Sequence, residues 1–242
     1  MEKKGKCILV CAGELGLEAI PVEEGDFVIA VDGGLDHCAA LRIEPDLILG
    51  DFDSVGERER ERIAALEELG EQGFRRNDRF PREKEAVRHH AGSRAAVFQL
   101  PREKDDTDTM AALKEGLRLG YSEFSIYGGM GGRFDHTLAN VQALLYLRNR
   151  GARGRLLDRA VEVQVIRDEK ICFPRNARGI LSLFSLVEES RGVTIEGMKY
   201  LLDRATVRND FPVGISNEFI GEEASVTVED GTLACVILCG KS

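Results

Sequence analysis

Residues 124–140 read Phe-Ser-Ile-Tyr-Gly-Gly-Met-Gly-Gly-Arg-Phe-Asp-His-Thr-Leu-Ala-Asn, and this stretch decides the fold class. Phe124 to Tyr127 is a short apolar run of the kind buried on both faces of a sheet, and the glycines from Gly128 end it. Leu138, Val141 and Leu145 then recur at helical spacing before Gly151. Strand, glycine loop and helix in that order make half of a parallel crossover unit.

The same alternation runs back towards the start of the chain. Cys7 to Ala12, Phe27 to Val31, Leu47 to Leu49 and Ala95 to Leu100 are further continuous apolar runs. Between them, Ser54-Val-Gly-Glu57 has the capping-box pattern and opens a charged stretch with Ile63, Leu66 and Leu69 on one face. Met110, Leu113 and Leu117 mark another helix before Gly120. The pattern predicts an α/β domain over residues 1–152, a Rossmann-like, mostly parallel sheet with crossover helices. After about residue 155 the helical period disappears. Val161 to Arg167, Lys170 to Phe173, Ile180 to Leu186, Thr206 to Arg208, Ile215 to Ile220, Ser225 to Glu229 and Leu233 to Leu238 read as short strands. They predict a small antiparallel sandwich or barrel over residues 153–242.

A chain of 242 residues with 43% hydrophobic content has room for two such domains. Its 33 basic and 42 acidic residues leave a net charge of −9, which repels phosphate backbones and argues against nucleic acid as a partner. The apolar run after the basic start is too short for a signal peptide, and no stretch is long enough to span a bilayer, so a cytoplasmic protein with no membrane partner is expected. The six cysteines sit in apolar, strand-like segments and read as reduced, buried thiols. One segment departs from the acidic background. Residues 75–94 carry seven arginines and lysines against three acids, which reads as a solvated insertion or, alternatively, a lid near an anionic substrate.

In an open α/β sheet, ligands bind beyond the carboxyl ends of the strands. Four motifs fall there. Val31-Asp-Gly-Gly34 follows the second strand, Gly50-Asp-Phe-Asp-Ser54 the third, Lys104-Asp-Asp-Thr-Asp108 the fourth, and the glycine run from Gly128 the fifth. If the Asp51-Phe-Asp53 loop stays extended, its carboxylates share one side, about 6 to 7 Å apart. Asp105, Asp106 and Asp108 would meet them across the rim. That many carboxylates repel unless cations lie between them, and hard oxygen donors select Mg²⁺. Thr107 or Asp108 could also cap the helix that follows. The glycine run offers close backbone approach to phosphate together with one fixed cation, Arg133. His136, next to Asp135, reads as orienting a neighbour. No Walker sequence is present, and Gly13-Glu-Leu-Gly16 lacks the first glycine of a dinucleotide fingerprint.

The three motifs Gly50–Ser54, Lys104–Asp108 and Gly131–Asn140, in this order, resemble the thiamine pyrophosphokinase family. The likeness continues into Gly192-Val-Thr-Ile-Glu-Gly-Met-Lys-Tyr200 and Ile215-Ser-Asn-Glu-Phe219 and so covers nearly the whole chain. The resemblance implies an α/β domain followed by a β-sandwich, a homodimer with active sites between subunits, and transfer of the diphosphate of MgATP to thiamine. It also implies residue roles. Asp51, Asp53 and Asp108, with Asp105 beside them, would hold Mg²⁺. Asp32, Gly33, Gly34, Lys104, Gly131, Gly132 and His136 would lie on the nucleotide side. Arg133 and Asp135 would serve the pyrophosphate and the substrate. Ser216 and Asn217, contributed across the dimer from the other copy of the chain, would contact thiamine, whose cationic ring needs an aromatic partner such as Phe219 or Tyr200, since the chain has no tryptophan. Asp53, Asp108, Arg133 and Asp135 are the catalytic candidates, with Asp108 or Asp135 as the base. Transfer to another hydroxymethyl heterocycle such as a pterin, and a non-catalytic nucleotide or thiamine sensor, are the alternative readings.

Overall fold

The computed structural model describes residues 4–52, 55–68, 95–101 and 105–239. The chain divides into two compact units, Met1–Asn140 and Val141–Ser242. The division falls within a helix, whereas the sequence expectation set it after that helix, at 152/153.

The first unit contains β1 (Cys7–Val10), β2 (Phe27–Val31), α1 (Gly34–Leu41), β3 (Leu47–Gly50), α2 (Glu57–Glu68), β4 (Ala96–Gln99), α3 (Asp108–Arg118), β5 (Glu123–Tyr127) and the start of α4 (Phe134–Arg148). Its strands lie in the order β4-β3-β2-β1-β5, and every pair is parallel. All residues of β1 and β3 are buried, which explains why they read as unbroken apolar runs rather than alternating ones. The chain moves outward from β1 to β4 and then returns to the other side of β1 for β5. The strand order therefore reverses between β1 and β5, where such sheets bind ligands.

Local chemistry fixes the helix starts. Thr107 Oγ1 accepts from the Met110 N–H at 3.1 Å, so Thr107 rather than Asp108 caps α3. Gly34 opens α1 against the end of β1, where a Cβ would lie 1.9 Å from the Val10 carbonyl oxygen. Only glycine fits there. α2 begins at Glu57 and buries Ile63, while the Ser54 end of the expected capping box lies outside the described residues. On α4 the buried stripe is Asn140, Ala143, Leu144 and Leu147, and Leu138 is exposed. The expected stripe of Leu138, Val141 and Leu145 was thus rotated. Large aliphatic residues set that expectation, whereas packing uses a small Ala143 and a hydrogen-bonded Asn140.

The second unit contains β6 (Arg153–Leu157), β7 (Val161–Arg167), β8 (Lys170–Phe173), β9 (Ile180–Ser185), β10 (Glu189–Glu196), β11 (Leu202–Arg208), β12 (Asn217–Glu218), β13 (Ala224–Thr227) and β14 (Thr232–Leu238). Antiparallel pairing gives β6-β7-β14-β9-β12 and β11-β10-β13-β8. Ile166, Leu181, Leu183, Leu233 and Cys235 from the first set meet Val193, Ile195, Val207 and Val226 from the second in one core. This is a β-sandwich.

The sequence reading missed β6 and β10 and overextended β12. In β10 the register shifts between Ser190 and Val193, where Gly192 has φ +63°, and the bulge breaks the apolar alternation. Around β12, Gly214 and Ser216 have φ 91° and 57°, so the expected strand from Ile215 to Ile220 keeps only Asn217–Glu218 in the ladder. All six cysteines are unpaired. Cys7, Cys11, Cys38 and Cys235 are buried as expected, but Cys172 and Cys239 are exposed. Among the described residues, no helix is long and apolar enough to cross a membrane. The arginine-rich 75–94 segment lies outside the described residues.

Candidate active site

The carboxyl ends of the parallel strands bring the four motifs to one rim. Asp32 follows β2 directly with φ 49°, is 8% exposed, and donates its backbone N–H to the Leu49 carbonyl at 2.8 Å. This ties the first acid motif to the end of β3. Gly33 is the N-cap of α1 and has no side chain to offer, so backbone amides face that end of the helix.

Asp51 is the first residue after β3 and is half-buried. The next residue overturns the extended-loop geometry. Phe52 has φ 61° and is 9% exposed, because burial of its ring outweighs the cost of a left-handed backbone. Val55 is buried as well, and Asp53 lies outside the described residues. Lys104 also lies outside them.

On the fourth loop, Asp105 is exposed and Asp106 is held by the Lys114 ammonium at 2.5 and 2.7 Å. The cation beside Asp106 is therefore a lysine, which takes it out of the acid cluster. Asp108 is half-buried in the first turn of α3. Its neighbour Thr109 contacts the Cys11 sulfur, Oγ1 to Sγ 3.7 Å, which fixes the start of α3 against the end of β1. Burial pushes the Cys11 thiol up to about 12, the Thr109 hydrogen bond opposes this, and the Asp108 charge adds to it. Cys11 is a protonated packing group, not a nucleophile. Among the described residues, no three His, Cys, Asp or Glu side chains gather in a set that could hold a metal ion.

The glycine run packs against the loop after β1. The Gly13 N–H donates to the Gly128 carbonyl at 2.8 Å, extending the pairing of β1 with β5, and a Cβ on Gly128 would come 2.3 Å from the Cys11 carbonyl oxygen. The Glu14 side chain lies beside Gly131. From the other side, the buried Asn140 amide donates to the Gly129 carbonyl at 2.7 Å. The loop is thus held by its backbone. Its side chains face water, since Arg133, Phe134, Asp135 and His136 are all exposed. Arg133 and Asp135 form a two-point pair, Nη2 to Oδ2 2.6 Å and Nε to Oδ1 3.2 Å. That hydrogen bonding holds the Asp135 carboxyl down to about 2 and raises the guanidinium.

The sandwich motif is built the opposite way. Asn217 is 2% exposed. Its Oδ1 accepts from the Tyr200 and Glu218 N–H groups at 2.9 and 3.0 Å, and its Nδ2 donates to the Tyr200 carbonyl at 2.7 Å. Ser216 has a left-handed backbone and donates its N–H to Ser182 Oγ at 3.0 Å. Phe219 is partly buried against the core and stacks edge-on with Phe173 at 5.1 Å. Tyr200, held by Asn217, is 58% exposed.

Sequence comparison bears on both units. A profile of the thiamin pyrophosphokinase catalytic domain matches residues 21–154, more than half of the chain, and a profile of the thiamin pyrophosphokinase vitamin B1 binding domain matches residues 168–233. The chain belongs to the thiamin pyrophosphokinase family. It is similar to the thiamine pyrophosphokinase of Bacillus subtilis (strain 168), 28% identical over 215 residues and covering 88% of each chain. Among solved structures, the thiamine pyrophosphokinase from Bacillus subtilis aligns at TM-score 0.78 and 25% identity, covering 98% of this chain and 100% of its own. A thiamin pyrophosphokinase family protein from Enterococcus faecalis aligns at TM-score 0.74 and 27% identity, covering 98% and 100%. In family terms, the catalytic-domain match contains the acid motifs and the glycine run, and the vitamin B1 match contains Tyr200 and Ser216 to Phe219.

Sequence reasoning missed what holds the rim: the role of Asn140 on the glycine run, and Asp36 and His37 on α1. The last pair left a signal. Asp36 and His37 are the polar residues of an otherwise apolar helix, Gly-Leu-Asp-His-Cys-Ala-Ala-Leu.

Proposed function

We infer that this chain transfers the diphosphate group of MgATP to the hydroxyethyl oxygen of thiamine, giving thiamine diphosphate and AMP. The observation that carries the reading is the paired match, catalytic domain and then vitamin B1 binding domain, on a chain whose acids and glycine run share one rim. The thiamine oxygen attacks the β-phosphorus, and the bond between that phosphorus and the α,β-bridging oxygen breaks as AMP leaves. Such transfers depend on alignment and charge stabilisation, so no covalent enzyme intermediate is needed.

Asp51, Asp53 and Asp108 are proposed as the metal-side carboxylates, with Asp105 at the mouth of the site. Their hard oxygen donors fit Mg²⁺, which is commonly bound by one or two carboxylates plus substrate phosphates rather than by a protein cage. Asp51, directly after β3, and Asp108, in the first turn of α3, are both half-buried and would supply those two carboxylates. When bound, the ion would neutralise charge on the transferred phosphates. Asp32 and the amides of Gly33 and Gly34 face the nucleotide, with Lys104 and His136 near the phosphates. Gly131 and Gly132 admit the diphosphate, and Arg133 stabilises its charge in the transition state.

Of the two candidate bases we propose Asp108, because both carboxylate oxygens of Asp135 are taken up by the Arg133 guanidinium. A base works best when its pKa lies near the working pH, and the Arg133 guanidinium holds Asp135 far below that. Asp135 instead aims Arg133. On the sandwich, Tyr200 is the exposed aromatic within the motif and would take the thiamine ring, Ser216 would face the substrate, and Asn217 and Phe219 would support them from below. We retain a homodimer as part of the proposal on family grounds.

The test is product analysis. With MgATP and thiamine the chain should release AMP and thiamine diphosphate in equal amounts, and with a hydroxymethyl pterin it should release none. ADP with thiamine monophosphate, or no turnover with thiamine, would reject the reading.

A further inference from the structure

α1 buries Leu35 and Cys38 against the sheet and leaves two successive polar residues, Asp36 and His37, half-buried beside the rim. Neighbours on a helix point about 100° apart, so the two reach different loops. Asp36 Oδ2 accepts from the Gly56 N–H at 3.1 Å. Gly56 closes the loop that carries Asp51 and Asp53, and a Cβ there would sit 3.1 Å from Asp36 Oδ1, so the contact is close on both sides. His37 Nε2 lies 2.8 Å from the Gly13 carbonyl oxygen. A carbonyl can only accept, so Nε2 carries the proton. Gly13 in turn donates to Gly128, the first residue of the glycine run.

One helix therefore holds the metal-side loop directly and the phosphate-side loop through Gly13, in the loop after β1. The two loops come from β3 and β5, which are separated in the sheet by β1 and β2. We propose that Asp36 and His37 are positioning residues that set the spacing between the acid loop and the glycine run, and so between the metal and the phosphates of ATP. The proposal rests on the functional reading above. Neither side chain is proposed to touch the substrate.

The test uses the full chain with four variants, Asp36→Ala, Asp36→Asn, His37→Ala and His37→Gln. The asparagine oxygen can still accept from Gly56, and the glutamine amide nitrogen can still donate from a place close to Nε2. Amide exchange is followed on protein labelled with ¹⁵N-glycine, a readout that needs no turnover. Asp36→Ala should speed exchange at Gly56 by about tenfold, because that N–H loses its acceptor, and His37→Ala, which frees the Gly13 carbonyl, should speed exchange at the Gly13 N–H by a smaller factor, through loosening of its bond to Gly128. Asp36→Ala should also raise the Mg²⁺ concentration for half-maximal rate, and His37→Ala the KM for ATP, by roughly three- to tenfold, with the KM for thiamine unchanged. The asparagine and glutamine variants should recover most of both effects.

Alanine variants that match the wild type in exchange and in both constants would overturn the proposal. So would faster exchange with unchanged kinetics, which would leave the pair as fold-holding residues only. A wild-type chain that makes no thiamine diphosphate would instead overturn the assigned reaction, so the two failures are distinguishable.

Discussion

The glycine run of the α/β unit and the Ser216–Phe219 segment of the sandwich are both family motifs, yet they are held in opposite ways. In the run, the backbone is tied from both sides, by Gly13 and by Asn140, while Arg133 and Asp135 stay exposed and paired to each other. In the sandwich segment, Asn217 is buried and spends its amide on the backbone of Tyr200 and Glu218, and Phe219 turns into the core. Motif residues are thus of two kinds. Some face the ligand, and some build the backbone that faces it.

The contrast breaks most sharply at Arg133. Arg133→Ala should lower kcat by about 10²- to 10³-fold while leaving the thermal midpoint unchanged, because the side chain is 70% exposed and its ion pair with Asp135 is a surface pair. A stability loss that precedes the activity loss would move Arg133 to the other class. Asn217→Ala should do the reverse. Losing three hydrogen bonds at a buried position should cost about 1–3 kcal/mol in urea unfolding, with a raised KM for thiamine and an unchanged KM for ATP. Full stability with lost turnover would make Asn217 a direct substrate contact.

The smallest effect belongs to Asp135. Its folded carboxyl is held at about 2, below the ordinary 3.8, so its contribution is complete above the ordinary value and is lost as pH falls towards the folded one. The group is exposed and screened. Asp135→Asn should therefore shift the acid unfolding midpoint only slightly, and less in high salt, while the acid limb of the rate profile stays where it was. A displaced limb would restore Asp135 as the base.

Legibility followed the same division. The parallel sheet was readable because β1, β2, β3 and β5 are buried on both faces and appear as unbroken apolar runs. β10 was not, because the bulge at Gly192 disrupts its alternation. The rim acids were visible because Asp32 and Asp51 sit directly at strand ends. What holds them was not. Asp36 reaches Gly56 and His37 reaches Gly13 across the fold, contacts that leave no trace in local periodicity. The orientation of Asp51 was also hidden, because an extended loop was assumed and the burial of Phe52 imposes a left-handed turn.

The central claim is that acids from separate loops serve one divalent ion together with the nucleotide. It is tested most directly by titrating Mn²⁺, followed by its paramagnetic resonance, into the chain saturated with α,β-methylene-ATP, which cannot undergo the reaction. Asp51→Asn, Asp53→Asn and Asp108→Asn should each weaken Mn²⁺ binding by about tenfold or more, as expected when one carboxylate is removed from a shared site. Affinity unchanged in all three variants would contradict the account.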